Sequence, residues 1–158
     1  ATRITALPLR RPAEPFEALR DRAAALARRG GKRPTVALVC LGRRADHAAR
    51  AELARNLFAV GGIETTELRG TEEGLQAALS QSGARIACLC SSDATTAADA
   101  ERAARASKAA GMRLVMLAGR PGERRAALDA AGVGLYIHPG ADVPAALALV
   151  LDQLEAAP

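Results

Sequence analysis

The chain is nearly devoid of aromatic residues, with no tryptophan, one tyrosine and two phenylalanines in 158 residues. Alanine, leucine and valine must therefore fill the core, and the hydrophobic share of 49% is that of a globular protein. The same scarcity removes the platforms on which nucleic-acid bases stack. The net charge of +5 rests on arginines interspersed with Asp and Glu. That pattern fits solvated helical faces better than a nucleic-acid track. No apolar run reaches the length of a membrane span, and the first residues lack the apolar stretch of a secretory signal. Glu14, Glu17 and Asp21 are out of place in an Arg-rich transit peptide, so a cytoplasmic location is expected.

Cysteine is also scarce. Cys40, Cys88 and Cys90 all sit in apolar runs and read as reduced core side chains of a cytosolic protein. Cys88 and Cys90 are two apart and face the same way on a strand, as a redox or metal pair would. No further ligand cluster is near them in sequence, so small core side chains are the preferred reading.

The length suits one ordinary domain. Pro8, Pro12 and Pro15 break up the first segment, after which Phe16, Leu19, Ala23 and Leu26 share one face of a predicted helix ending at Gly30-Gly31. From Pro34 onward, apolar run, loop and helix alternate. Val36–Leu41 is a nearly all-apolar strand, as in a parallel sheet covered on both faces. A helix from about Ala45 follows, its buried face expected at Leu53, Leu57 and Val60, with Gly61-Gly62 as its stop. Ile63–Leu68 is a half-polar edge strand, and Thr71, followed by Glu72 and Glu73, is expected to cap the next helix, which ends at Gly83. Ile86–Cys90, a helix over about 95–110, Leu114–Leu117, a short helix over 123–131 and Leu135–Ile137 continue the alternation. Val143, Leu147, Val150, Leu151 and Leu154 form the stripe of a last helix. Five strands alternating with helices predict a flavodoxin-like, doubly wound parallel α/β sheet of order 2-1-3-4-5 with helices on both faces. Its switch point falls between the loops Gly42–Ala45 and Ser91–Ala94, where a ligand is expected.

The first of these loops, Gly42-Arg43-Arg44-Ala45-Asp46-His47, is neither a phosphate-binding loop nor a dinucleotide fingerprint, because the further glycines and the Lys-Ser/Thr pair are missing. Cys90 and Ser91 stand where a phosphotransfer receiver needs its aspartate. His47, in the first turn of a helix, is expected to face the crevice, where it could bind a metal or relay a proton; an ordinary polar residue at a helix start is the plainer reading. His138 before Pro139-Gly140 reads as a turn residue. Ser91 or Ser92 with His47 and Asp93 offers the residue types of a hydrolytic triad, but nothing resembles a nucleophile elbow.

Taken together, Ala13–Ala23, Arg33-Pro34, Val39-Cys40-Leu41-Gly42, Leu89-Cys90-Ser91-Ser92 and His138-Pro139-Gly140 resemble the C-terminal cobalamin-binding domain of the methylmalonyl-CoA mutases, most closely that of the small, non-catalytic subunit. The resemblance implies a linker with its helix over 1–33 and a cobalamin-binding-like domain over 34–158. Active domains of the family carry D-x-H-x-x-G, whose histidine is the lower cobalt ligand, together with S-x-L and G-G, which line the nucleotide tunnel. In this chain the first becomes Ala45-Asp46-His47-Ala48-Ala49-Arg50, the second Ser91-Ser92-Asp93 and the third Ala118-Gly119. The histidine is kept. The aspartate that would orient it, the glycine, the leucine and the first glycine of the pair are replaced.

The resemblance thus implies a vestigial cofactor site at Gly42, Asp46, His47, Ser91, Ser92 and Gly119. It implies a structural role beside the catalytic large subunit of an adenosylcobalamin-dependent mutase, no cobalamin bound and no catalysis by this chain alone. An Arg50–Asp93 pair plugging the tunnel is expected. Two alternatives stay open: a working cobalamin carrier with His47 as cobalt ligand, and a small enzyme or signalling module of the same fold.

Overall fold

The computed structural model describes residues 13–69, 74–92 and 97–156. Six helices and five strands alternate over this span. In chain order they are α1 (Glu14–Gly30), β1 (Thr35–Cys40), α2 (Arg44–Val60), β2 (Glu64–Arg69), α3 (Leu75–Ser82), β3 (Ile86–Cys90), α4 (Ala97–Ala109), β4 (Leu114–Ala118), α5 (Arg125–Ala131), β5 (Val133–Ile137) and α6 (Val143–Glu155). A single 3-10 turn, Gly122–Arg124, leads into α5. All strand pairs are parallel and the order is β2-β1-β3-β4-β5, the flavodoxin-like arrangement that the alternation predicts.

The three central strands are the most apolar in sequence and the most buried. Every residue of β3 and β4 is buried, as is all of β1 but its first. β2, with alternating Thr and Glu, is half exposed at the edge. Alternate side chains of the sheet feed two cores. Val36, Leu38, Ile86, Cys88 and Met116 face α1, α2 and α6, whereas Val39, Leu89, Val115 and Leu117 face α3, α4 and α5. Alanines supply much of the buried face of two helices, Ala51 and Ala54 of α2 and Ala100, Ala103 and Ala104 of α4. Their small side chains let these helices approach closely.

Helix α1 folds back onto this domain. Leu19 and Ala23 are buried in the first core, with Phe16 and Leu26 packed beside them. Arg22 ties the helix to α6, donating to Asp152 at 2.6 Å and to Glu155 at 2.9 and 3.0 Å. Helix α6 starts on Asp142, whose carboxylate accepts the Ala145 N–H at 3.1 Å.

Several expectations need correction. Val60 is 42% exposed, and the buried face of α2 is instead Ala51, Ala54, Leu57 and Phe58. The large aliphatics alone give a false phase when alanines carry half the stripe. Strand β5 begins at Val133 rather than Leu135, its pairing with β4 passing through an irregularity at Val115/Met116. The expected cap at Thr71, with Glu72 and Glu73, and the start of α4 at Thr95 lie outside the described residues.

The cysteines are free and buried in the first core. Cys40 and Cys90 are partners across β1 and β3. Burial pushes the Cys40 thiol up to about 12. Cys90 is also raised, by its interaction with Cys88 and by burial. Among the described residues no group of three or more His, Cys, Asp or Glu could hold a metal.

Phe58 is wholly buried and is one of only two phenylalanines, so Phe58→Ala should lower stability by about 3–5 kcal/mol. Urea unfolding followed by circular dichroism measures this; a loss below about 1 kcal/mol would show that the alanine-rich surroundings collapse into the gap.

Candidate functional site: the carboxyl edge of the sheet

Register brings the strand ends into one row. Cys40 pairs with Cys90, Cys90 with Ala118 and Ala118 with Ile137. Two further backbone bonds, Leu41 N–H to the Cys90 carbonyl at 2.9 Å and Gly119 N–H to the Ile137 carbonyl at 2.7 Å, extend it by a residue. Gly42, Ser91, Gly119 and His138 therefore leave the sheet at the same edge, as the switch-point rule requires.

At the first of these exits Gly42 takes a left-handed conformation, φ 77°, and a Cβ there would lie 3.0 Å from Asp46 Oδ2. The Asp46 carboxylate turns back to the helix start, accepting the Arg43 backbone N–H at 2.8 Å and Arg43 Nε at 3.3 Å. These two bonds, the backbone one first, hold its carboxyl below the usual range. Asp46 is committed to capping α2.

His47, one residue on, is turned inward. It is 9% exposed, and its Nδ1 is buried with no hydrogen-bond partner. It lines a groove of about 460 Å³ between α2 and the edge strand β2, with Cys40, Arg44, Glu52, Glu67 and Arg69. An ion pair between Arg55 and Glu67 joins the two walls. The expectation of a histidine exposed to the switch-point crevice is thus corrected. Helix α2 carries its inner face down onto the sheet, and the fourth helical residue goes with it.

Ser91, Ser92 and Gly119 come together elsewhere, in a second cleft of about 400 Å³ between the ends of β3 and β4 and the loop 120–124. Ser91 is buried. His47 does not line this cleft, so the residue types of a hydrolytic triad are not assembled. Asp93 lies outside the described residues. His138 is a turn residue: its carbonyl accepts the Ala141 N–H at 3.0 Å.

Arg50, one turn beyond His47, reaches across to β4. Its Nη1 donates to the Ala118 carbonyl at 3.3 Å, and a Cβ on Gly119 would lie 2.5 Å from that nitrogen. The guanidinium thus lies directly on the backbone of the Ala118-Gly119 pair. The reach of Arg50 to a strand end 68 residues away has no signal in local sequence; Asp93, with which it is expected to pair, lies outside the described residues.

No family model matches the chain. Relatives are nonetheless clear. The methylmalonyl-CoA mutase small subunit of Streptomyces virginiae is 42% identical over 150 residues, 94% of this chain and 23% of that protein. Those of Propionibacterium freudenreichii subsp. shermanii and Porphyromonas gingivalis are 36% and 35% identical, over 69% and 85% of this chain and 17% and 21% of theirs. The chain is related to the methylmalonyl-CoA mutase small subunits. It spans about a quarter or less of the length of these relatives. Among solved structures, an orphan response regulator of H. pylori is similar at a TM-score of 0.48 and 14% identity, over 77% of this chain and 97% of that one; the fold assignment rests on the sheet order instead.

Positions 45, 50 and 118 are those at which the sequence is expected to depart from the cobalamin-domain signature that the chain resembles. Ala45 is exposed on the first turn of α2 and offers no acceptor to the unpartnered His47 nitrogen. Ala118 and Arg50 are in contact through the bond just described.

Because the Asp46 carboxyl is held below its ordinary 3.8, its contribution to stability is complete above that value and is lost as the pH falls through the depressed one. Asp46→Asn should therefore destabilise the chain at neutral pH, with the gap to the parent closing in acid. Thermal melts from pH 7 downward test this; a gap independent of pH would mean that the carboxylate charge contributes nothing to the cap.

Proposed function

We propose that this chain is a degenerate cobalamin-domain-like part of a methylmalonyl-CoA mutase small subunit. It serves assembly beside a catalytic subunit that holds adenosylcobalamin and the acyl-CoA. Residues 1–33 act as linker and N-terminal helix, and 34–158 as the domain proper. Gly42, Asp46, His47, Ser91, Ser92 and Gly119 are remnants of a cofactor site. That the relatives are named small subunits supports assigning the chemistry to a companion chain.

The observation that carries the reading is Arg50. Its guanidinium rests on Ala118 and Gly119, where the family needs small residues so that a cofactor can approach the backbone. A second observation supports it. A metal-bound histidine is normally oriented by an acceptor on its other ring nitrogen; His47 Nδ1 has none, and Asp46 is engaged by Arg43. These residues do not fit a histidine-ligated cobalamin. The rival reading, a working carrier, is favoured by the retention of His47 itself at the start of α2.

Titration with hydroxocobalamin and adenosylcobalamin, followed by visible absorbance and gel filtration, separates the two. The expected result is no spectral shift and no retained colour, with the chain folded by circular dichroism. A shift and bound colour, both lost in His47→Ala, would establish the carrier and end the degenerate reading. The combined reversion Ala45→Asp, Arg50→Gly, Ala118→Gly should bind more cobalamin than the parent.

A further inference from the structure

The pole of the sheet opposite this site carries an unbalanced charge. A groove of about 400 Å³ opens where α1 ends and β1 and β3 begin. Its floor is aliphatic, with Leu26 and Leu154 half-buried and Pro34 buried. Its rim is cationic: Arg29, Lys32, Arg33 and Arg85 are all exposed, and none of the described residues lining the groove is acidic.

The nearby carboxylates do not cancel this charge. Asp152 and Glu155 are both taken by Arg22, and Arg29 acts on Glu155 only through space. Glu64 sits 3.8 Å from Arg33 with both side chains well exposed, a pairing of little energetic weight. Lys32 and Arg85 have no ion pair among the described residues. Four like charges around an apolar floor repel one another, and a counter-charged occupant relieves that repulsion.

We infer that this groove docks an acidic segment of a protein partner, with one aliphatic side chain of that segment seated on Leu26 and Leu154 between flanking carboxylates. A nucleic acid fits less well. The lining holds no aromatic ring on which a base could stack, and the cations ring a pocket rather than forming a track. A free polyphosphate would leave the aliphatic floor unused. The inference does not depend on the cobalamin reading, because the groove and the cofactor edge lie at opposite ends of the strands.

The test is fluorescence anisotropy on the full 158-residue chain with a labelled peptide Glu-Glu-Leu-Glu-Glu. Binding should weaken as salt is added. It should fall at least about tenfold in Arg29→Glu/Arg85→Glu, and fall again when the central leucine of the peptide is replaced by serine. Both substituted arginines are exposed, so the variant should keep the parent's melting temperature. An oligothymidylate of matched charge and inorganic tripolyphosphate serve as competitors. The inference fails if either displaces the peptide as well as unlabelled peptide does. It fails equally if charge reversal leaves affinity unchanged in a folded variant, if the serine peptide binds as tightly, or if the peptide does not bind.

Discussion

Everything in this molecule is arranged around the burial of β1, β3 and β4 on both faces. Their backbone groups are satisfied within the sheet, and their side chains can leave water only if helices cover each side. With so few aromatic rings, α2 and α4 meet that demand largely through alanine, and α3 and α6 through leucine and valine. Helix α2 shows the consequence. Pressed onto the sheet through Ala51, Ala54 and Phe58, it carries His47 into the interior and aims Arg50 across the strand ends.

Arg50 is the residue on which the functional reading turns. A long aliphatic stem can lie along apolar surface while its charged head finds an acceptor, and here the head finds the Ala118 carbonyl beside Gly119. A glycine at that position would leave the backbone open to a ligand. His47 differs in kind: its residue type fits the family signature while its surroundings do not, since the neighbouring carboxylate closes the helix cap instead. Under the proposed reading, such a retained side chain without its supporting partners is a remnant of a site that has lost its ligand.

The two poles of the sheet have separate electrostatics. At the carboxyl edge Arg43 pairs with Asp46 and Arg55 with Glu67. At the amino edge Arg22 gathers the carboxylates of α6 and so fastens α1 to the domain. That clamp engages the two carboxylates of α6 nearest the groove, so they offset its cations little. One ion-pair cluster thus both closes the first core and leaves the groove its charge.

The sequence by itself determined the sheet order, the two-sided burial of the central strands and the edge position of β2, because all three follow from the density and spacing of apolar residues. It also determined the kinship, through short motifs at the strand ends. The phase of α2 was not legible: alanine is too weakly apolar to mark a face, and the larger Val60 misled. The inward turn of His47 and the reach of Arg50 were decided by tertiary structure alone. Periodicity reports which residues share a helix face. Only the register of distant strands and the depth of helix packing settle what a long side chain touches when it gets there.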